Sequence, residues 1–116
     1  FHRWLGLTLR SCSNEQLELE MPWRDEIVSN PAIGSAHGGV LASLIDLTGL
    51  YTLLSQGTGA KATADLRVDY HRPATSGPLV ASGKIIKIGK NISVAETRVY
   101  GPTGNLLASG RGAYVC

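Results

Sequence analysis

Two features of this chain have the residue types for chemistry: the glycine pair after His37, and the acid at Asp46. From Gly38 to Ala60, Asp46 is the only charged residue. An ionised carboxylate is costly to bury without partners, so one acid on an apolar segment needs a reason. Such an acid can act as a general base or a covalent nucleophile. The plainer alternative is a structural acid satisfied by hydrogen bonds from a neighbouring strand. Gly38 and Gly39 would let a ligand approach the backbone closely. At a helix mouth, unpaired N–H groups and the helix dipole favour a developing negative charge. The plainer alternative is a glycine pair that starts a helix tightly against a sheet. His37 is read first as a hydrogen-bonding fixture of the loop and ranks below Asp46 as a catalytic residue. His2, His37 and His71 show no metal-ligand spacing, so no metal is expected.

These residues need a helix to place them. Val40, Leu44, Leu47, Tyr51 and Leu54 recur in steps of three and four, which predicts a helix over His37 to Leu54. Its other faces carry Leu41, Ile45, Leu50 and Leu53, so it is apolar nearly all round and should be buried. Ser43, Asp46, Thr48, Gly49 and Thr52 interrupt its apolar runs and argue against a membrane span.

Upstream, Trp4, Leu5, Leu7 and Leu9 suggest a strand within Phe1 to Ser11. Gln16 to Met21 alternates as a half-buried strand does, with Ser13-Asn14 as the turn between the two. Pro22 to Ala36 reads as a long loop leading straight into the helix, which favours a functional role. Downstream, Gly57-Thr58-Gly59 stops the helix. Thr63 to His71 alternates, with Ala64, Leu66, Val68 and Tyr70 on one face and Thr63, Asp65, Arg67, Asp69 and His71 on the other. Leu79 to Ile88, Ile92 to Tyr100 and Leu106 to Val115 follow through short turns and predict an antiparallel meander. Gly110 and Gly112 either weaken the last strand or allow close backbone approach.

A chain of 116 residues suits one domain over 1–116. The expected architecture is α+β: one long central helix wrapped by a strongly curved antiparallel sheet of about six strands. A net charge of +2 is too small to argue for nucleic acid, but suits mild attraction to a phosphate-bearing ligand. Cys12 and Cys116 lie in no CxxC pattern and read as free thiols of a reducing compartment. No signal peptide is visible, and a cytoplasmic location is expected.

His37-Gly38-Gly39 with an acid eight positions after Gly38 resembles the PaaI-like (phenylacetate-pathway) hotdog-fold thioesterases. Ala64-Asp65-Leu66-Arg67-Val68-Asp69-Tyr70-His71-Arg72-Pro73-Ala74 resembles the strand after the helix in that family. So does the ending Gly104 to Gly112, and the likeness runs from about Asn30 to the C-terminus. The resemblance implies hydrolysis of acyl- or aryl-coenzyme A thioesters, with coenzyme A as part of the substrate and no separate cofactor. It implies that the Gly38 N–H polarises the thioester carbonyl and that Asp46 is nucleophile or general base. It further implies that Thr63 helps hold the acid or the water, and that Asn30 lies near the scissile group. The segment between Asn30 and His37 is slightly longer than the family's pattern.

Thioester hydrolysis also needs a place for the coenzyme. Arg72, Lys87, Lys90 and Arg111 are candidates to meet its phosphates, beside a solvated basic surface as the plainer reading. Gly89-Lys90-Asn91 is the best of these, since a turn offers N–H groups beside a cation. Gly39 and Tyr70 are further candidates at the substrate, although core packing is the plainer role for both Tyr51 and Tyr70. Eight residues along a helix is roughly 12 Å, so Gly38 and Asp46 of one chain can hardly hold one carbonyl. Two antiparallel helices about a two-fold axis would set Gly38 of one chain beside Asp46 of the other. A homodimer with shared sites is therefore expected, and a tetramer beyond it. The competing readings are a hydratase, disfavoured because Tyr51 stands five residues after Asp46 where a histidine would be wanted, and a non-catalytic acyl-coenzyme A-binding module.

Overall fold

The computed structural model describes residues 2–116. In chain order the elements are α1 (His2–Leu5), β1 (Thr8–Ser13), β2 (Gln16–Met21), a 3-10 turn (Asp25–Ile27), β3 (Val28–Asn30), β4 (Ser35–Ala36), α2 (Gly38–Ser55), β5 (Ala62–Tyr70), β6 (Leu79–Lys87), β7 (Ile92–Tyr100) and β8 (Leu106–Val115). Six strands form one antiparallel sheet in the order β1-β2-β6-β7-β8-β5, and β3 pairs with β4. This is the hotdog arrangement, with α2 lying on the sheet against β2, β5, β6, β7 and β8.

Helical spacing locates α2, alternation locates β5, and the turns between them locate β6, β7 and β8, all to within a residue or two. The N-terminal strand is different. Trp4 and Leu5 belong to α1, and the strand begins only at Thr8. Gly6, at φ 70°, ends this short helix, and its N–H donates to the Arg3 carbonyl at 3.1 Å. Leu5 then enters the core fully buried, and the Arg24 guanidinium lies 4.2 Å over the Trp4 ring. The long loop is also more ordered than its composition suggests. The 3-10 turn and the β3–β4 pair occupy most of it, with Gly34 at φ 66° in the connecting turn.

Sequence spacing leaves the buried face of α2 open, because the helix is apolar all round. The face set into the sheet is Leu41, Leu44, Ile45, Thr48, Gly49, Thr52 and Leu53. Val40, Leu47, Leu50 and Tyr51 are half-buried and Leu54 is exposed, so the sheet does not enclose the helix within one chain. The buried hydroxyls of Thr48 and Thr52 donate back to the Leu44 and Thr48 carbonyls, each at 2.6 Å. Small residues bring helix and sheet together. A Cβ at Gly110 would come within 2.8 Å of Ile45 Cγ2, so close approach is what Gly110 provides. By length and composition α2 could cross a membrane, but Leu44 and Leu53 are fully buried against the sheet.

Candidate active site

Three elements meet at the mouth of α2. Ala36 N–H donates to the Ala74 carbonyl at 2.8 Å, and His37 N–H donates to the Ile27 carbonyl at 2.7 Å. The segment before α2 is thus tied on one side to the 3-10 turn and on the other to the chain that follows β5. His37 is the N-cap. Its Nδ1 accepts from Gly39 N–H at 2.8 Å, and its carbonyl accepts from Val40 N–H at 2.9 Å. The cap uses the imidazole as an acceptor, so the expected loop-fixing role of His37 is what the geometry gives. Among the described residues nothing accepts from the Gly38 N–H. It is the first-turn donor left over by the cap, at the positive end of the helix dipole.

A cleft of about 290 Å³ opens beside it, lined by Ala36, Gly38, Leu41, Tyr70, Arg72 and Pro73 among others. The Tyr70 hydroxyl donates to the Gly38 carbonyl at 2.6 Å. Arg72 is exposed at the same cleft. Asn30 ends β3 with its side-chain oxygen turned onto its own loop, accepting from Ala32 N–H at 3.2 Å.

Asp46 lies two turns farther along α2 and does not line this cleft. It is half-buried rather than sealed in the core, and one carboxylate oxygen accepts from Thr63 Oγ1 at 2.7 Å. A bulge makes that bond possible. Thr63 pairs with Tyr114 but Asp65 pairs with Ala113, so Ala64 is an extra residue in β5. Strict alternation puts Thr63 on the face away from the helix. The bulge returns it to the helix side with Leu66 and Val68, corrects that expectation, and aims the hydroxyl at Asp46.

Tyr114 completes the setting, a residue that the sequence reading did not single out. It is fully buried, and its hydroxyl donates to the Asp46 backbone carbonyl at 2.8 Å. A Cβ at Gly49 or at Gly112 would collide with that hydroxyl, so both glycines make the slot the ring occupies. Burial, and then the charge of Asp46, push the Tyr114 hydroxyl well above the ordinary tyrosine range. The pattern Gly110-x-Gly112-x-Tyr114, read against Gly49, is the signal that points to this contact.

The basic candidates do not gather in one chain. Arg111 and Lys87 line a larger cleft of about 630 Å³ on the sheet face away from α2, while Arg72 stands beside Gly38. In the β6–β7 turn the Gly89 N–H donates to Ser93 Oγ at 3.1 Å, and the Asn91 carbonyl accepts from Cys116 N–H at 2.9 Å. The turn therefore spends the Gly89 N–H on itself, leaving Lys90, exposed, as its cation. Among the described residues no cluster of histidine, cysteine and acid could hold a metal ion.

A family model described as the thioesterase superfamily matches residues 33–108. The chain is 33% identical over 115 residues to acyl-coenzyme A thioesterase 13 of Homo sapiens, covering 96% of this chain and 81% of that protein. It superposes on the X-ray structure of a protein from the thioesterase superfamily with a TM-score of 0.95 and 43% identity, covering 100% of this chain and 88% of the other. The E. coli PaaI protein, from the phenylacetic acid degradation operon, matches with a TM-score of 0.88 and 27% identity, covering 99% of this chain and 86% of its own.

Proposed function

The chain belongs to the thioesterase superfamily, and from that premise we propose that it hydrolyses acyl- or aryl-coenzyme A thioesters to the free acid and coenzyme A. The observation that carries this reading is the unpartnered Gly38 N–H at the mouth of α2, opening onto the cleft. It is an oxyanion donor: the thioester oxygen gains negative charge as water adds, and a fixed dipole aimed there stabilises that charge without reorganising. Asp46 takes the proton of the attacking water, or attacks the carbonyl itself and is released by water in a second step. Thr63 holds the carboxylate in place. When the C–S bond breaks, the sulfur leaves with the electron pair and ends as the protonated thiol.

The site in this reading is shared between two copies. Gly38 and Asp46 are eight residues apart on an unbroken helix, about 12 Å, and only one of them meets the cleft. The half-buried side of α2 and the free edge of β5 both flank Asp46, and both support a second copy packed there. A tetramer of such dimers would bring Arg72, Lys87, Lys90 and Arg111 of different chains toward one coenzyme. Acyl-coenzyme A as substrate is supported by the name of the human relative. The operon of the E. coli PaaI structure supports aryl thioesters of the phenylacetate kind among them. A cytoplasmic location, where coenzyme A thioesters are made and used, completes the proposal, with neither nucleic acid nor a membrane as partner.

The test is thiol release from a panel of aryl and aliphatic coenzyme A thioesters, with wild type beside Asp46→Ala. Wild type should turn over at least one class, and the variant should lose a hundredfold or more in kcat. Full activity in Asp46→Ala would remove the acid from the mechanism. A folded wild type that hydrolyses nothing would mark a binding module.

A further inference from the structure

We propose that Tyr70 is a positioning residue for the oxyanion donor, holding the Gly38–Gly39 peptide from the side opposite His37. The inference rests on the reading of Gly38 N–H as that donor. Two consecutive glycines open the helix mouth to a substrate, but they are also the least constrained backbone a chain can have. A donor gains catalytic value only if its direction is fixed before the charge arrives.

Every other polar group of the two peptides around Gly38 is held. In the His37–Gly38 peptide, the carbonyl accepts from Val40 N–H at 2.9 Å. In the Gly38–Gly39 peptide, the N–H donates to His37 Nδ1 at 2.8 Å and the carbonyl accepts from the Tyr70 hydroxyl at 2.6 Å. That second peptide is therefore held at both ends, by a side chain from its own loop and, in addition to the i+4 bond its carbonyl accepts within α2, by one from β5. The Gly38 N–H alone is left to point at the cleft.

Tyr70 is also packed for the purpose. A Cβ on Gly38 would lie 3.2 Å from the Tyr70 hydroxyl oxygen and 3.3 Å from Cζ, so the ring end rests on the glycine α-carbon. Tyr70 is 54% exposed and lies outside the core clusters. Its hydroxyl is already committed to the backbone. Both facts separate a positioning role from core packing and from direct contact with substrate by the hydroxyl.

Tyr70→Phe keeps the ring and removes the donor, while Tyr70→Leu removes both. On the thioester that wild type hydrolyses fastest, Tyr70→Phe should lower kcat about three- to tenfold with KM unchanged, which is the range for one lost hydrogen bond. In the substrate-free protein, hydrogen exchange at the Gly39 amide should quicken by a similar factor. An unchanged kcat, or unchanged exchange at Gly39, in Tyr70→Phe would overturn the proposal. So would a rise in KM alone, which would make Tyr70 a substrate contact, or a loss seen only in Tyr70→Leu, which would make it packing. If wild type hydrolyses no thioester, the functional reading has failed instead. The exchange measurement then decides by itself whether Tyr70 holds the glycine peptide.

Discussion

Gly38 occupies the first position of α2, the place where a helix tolerates proline best. His37 before it has φ −60° and ψ 132°, the extended backbone that a following proline requires. Gly38→Pro should therefore delete the proposed oxyanion donor while leaving the helix in place. Gly38→Ala keeps the N–H and introduces the same Cβ contact with Tyr70, so the pair differs only in the N–H and the ring that replaces it. Gly38→Pro is expected to lower kcat about a hundredfold or more below Gly38→Ala, with both variants melting within a few degrees of each other. Equal kcat in the two would place the oxyanion elsewhere. At this scale the sequence was informative where a residue stood out against its neighbours. A lone acid among apolar side chains and a glycine pair after a histidine are both visible in a string of letters. Tyr114 was not, because its importance comes from spaces left at Gly49 and Gly112, far apart in sequence.

The elements were legible in proportion to how regular they are. The turns bounding β6, β7 and β8, alternation over β5 and helical spacing over α2 gave their limits closely. A β-bulge inserts one residue without disturbing the alternation of residue types, so the turn of Thr63 toward Asp46 was hidden from the alternation and legible only through the family resemblance. The buried face of α2 was hidden for another reason. Apolar residues cover the whole helix, so the face is chosen by fit at Thr48, Gly49 and Thr52, not by polarity. Tyr114 joins β8 to α2 and makes this fit measurable. Tyr114→Phe should destabilise the protein by about 1 kcal/mol, the typical value of one hydrogen bond, read from the denaturant midpoint. The pH dependence has a definite sign. The folded hydroxyl titrates above its unfolded value of about 10, so its contribution is complete below that pH and is lost as pH rises past it. Between pH 9 and about 11.5 wild type should lose stability more steeply than Tyr114→Phe; parallel curves would contradict the buried, Asp46-linked hydroxyl.

For the whole molecule, the proposal is that one chain holds two halves of different sites. The cleft at Gly38 has a donor and no acid in its lining, and Asp46, with Thr63 beside it, lies off that cleft. The separation of Gly38 from Asp46 was legible in the sequence from helix rise alone, since eight residues cannot fold back on themselves within a helix. Two other features were less legible: which side of α2 stays open, and that β5 ends the sheet beside Asp46, follow from packing. The central claim is that Gly38 of one copy works with Asp46 of another. Its most direct test is the activity of a purified heterodimer with one Gly38→Pro chain and one Asp46→Asn chain, tagged differently. Each parent homodimer should be nearly inactive. In the heterodimer one site carries both substitutions and the other carries neither, so about half of the wild-type activity per dimer is predicted. A heterodimer as inactive as its parents would mean that each site lies within one chain, and would contradict the account.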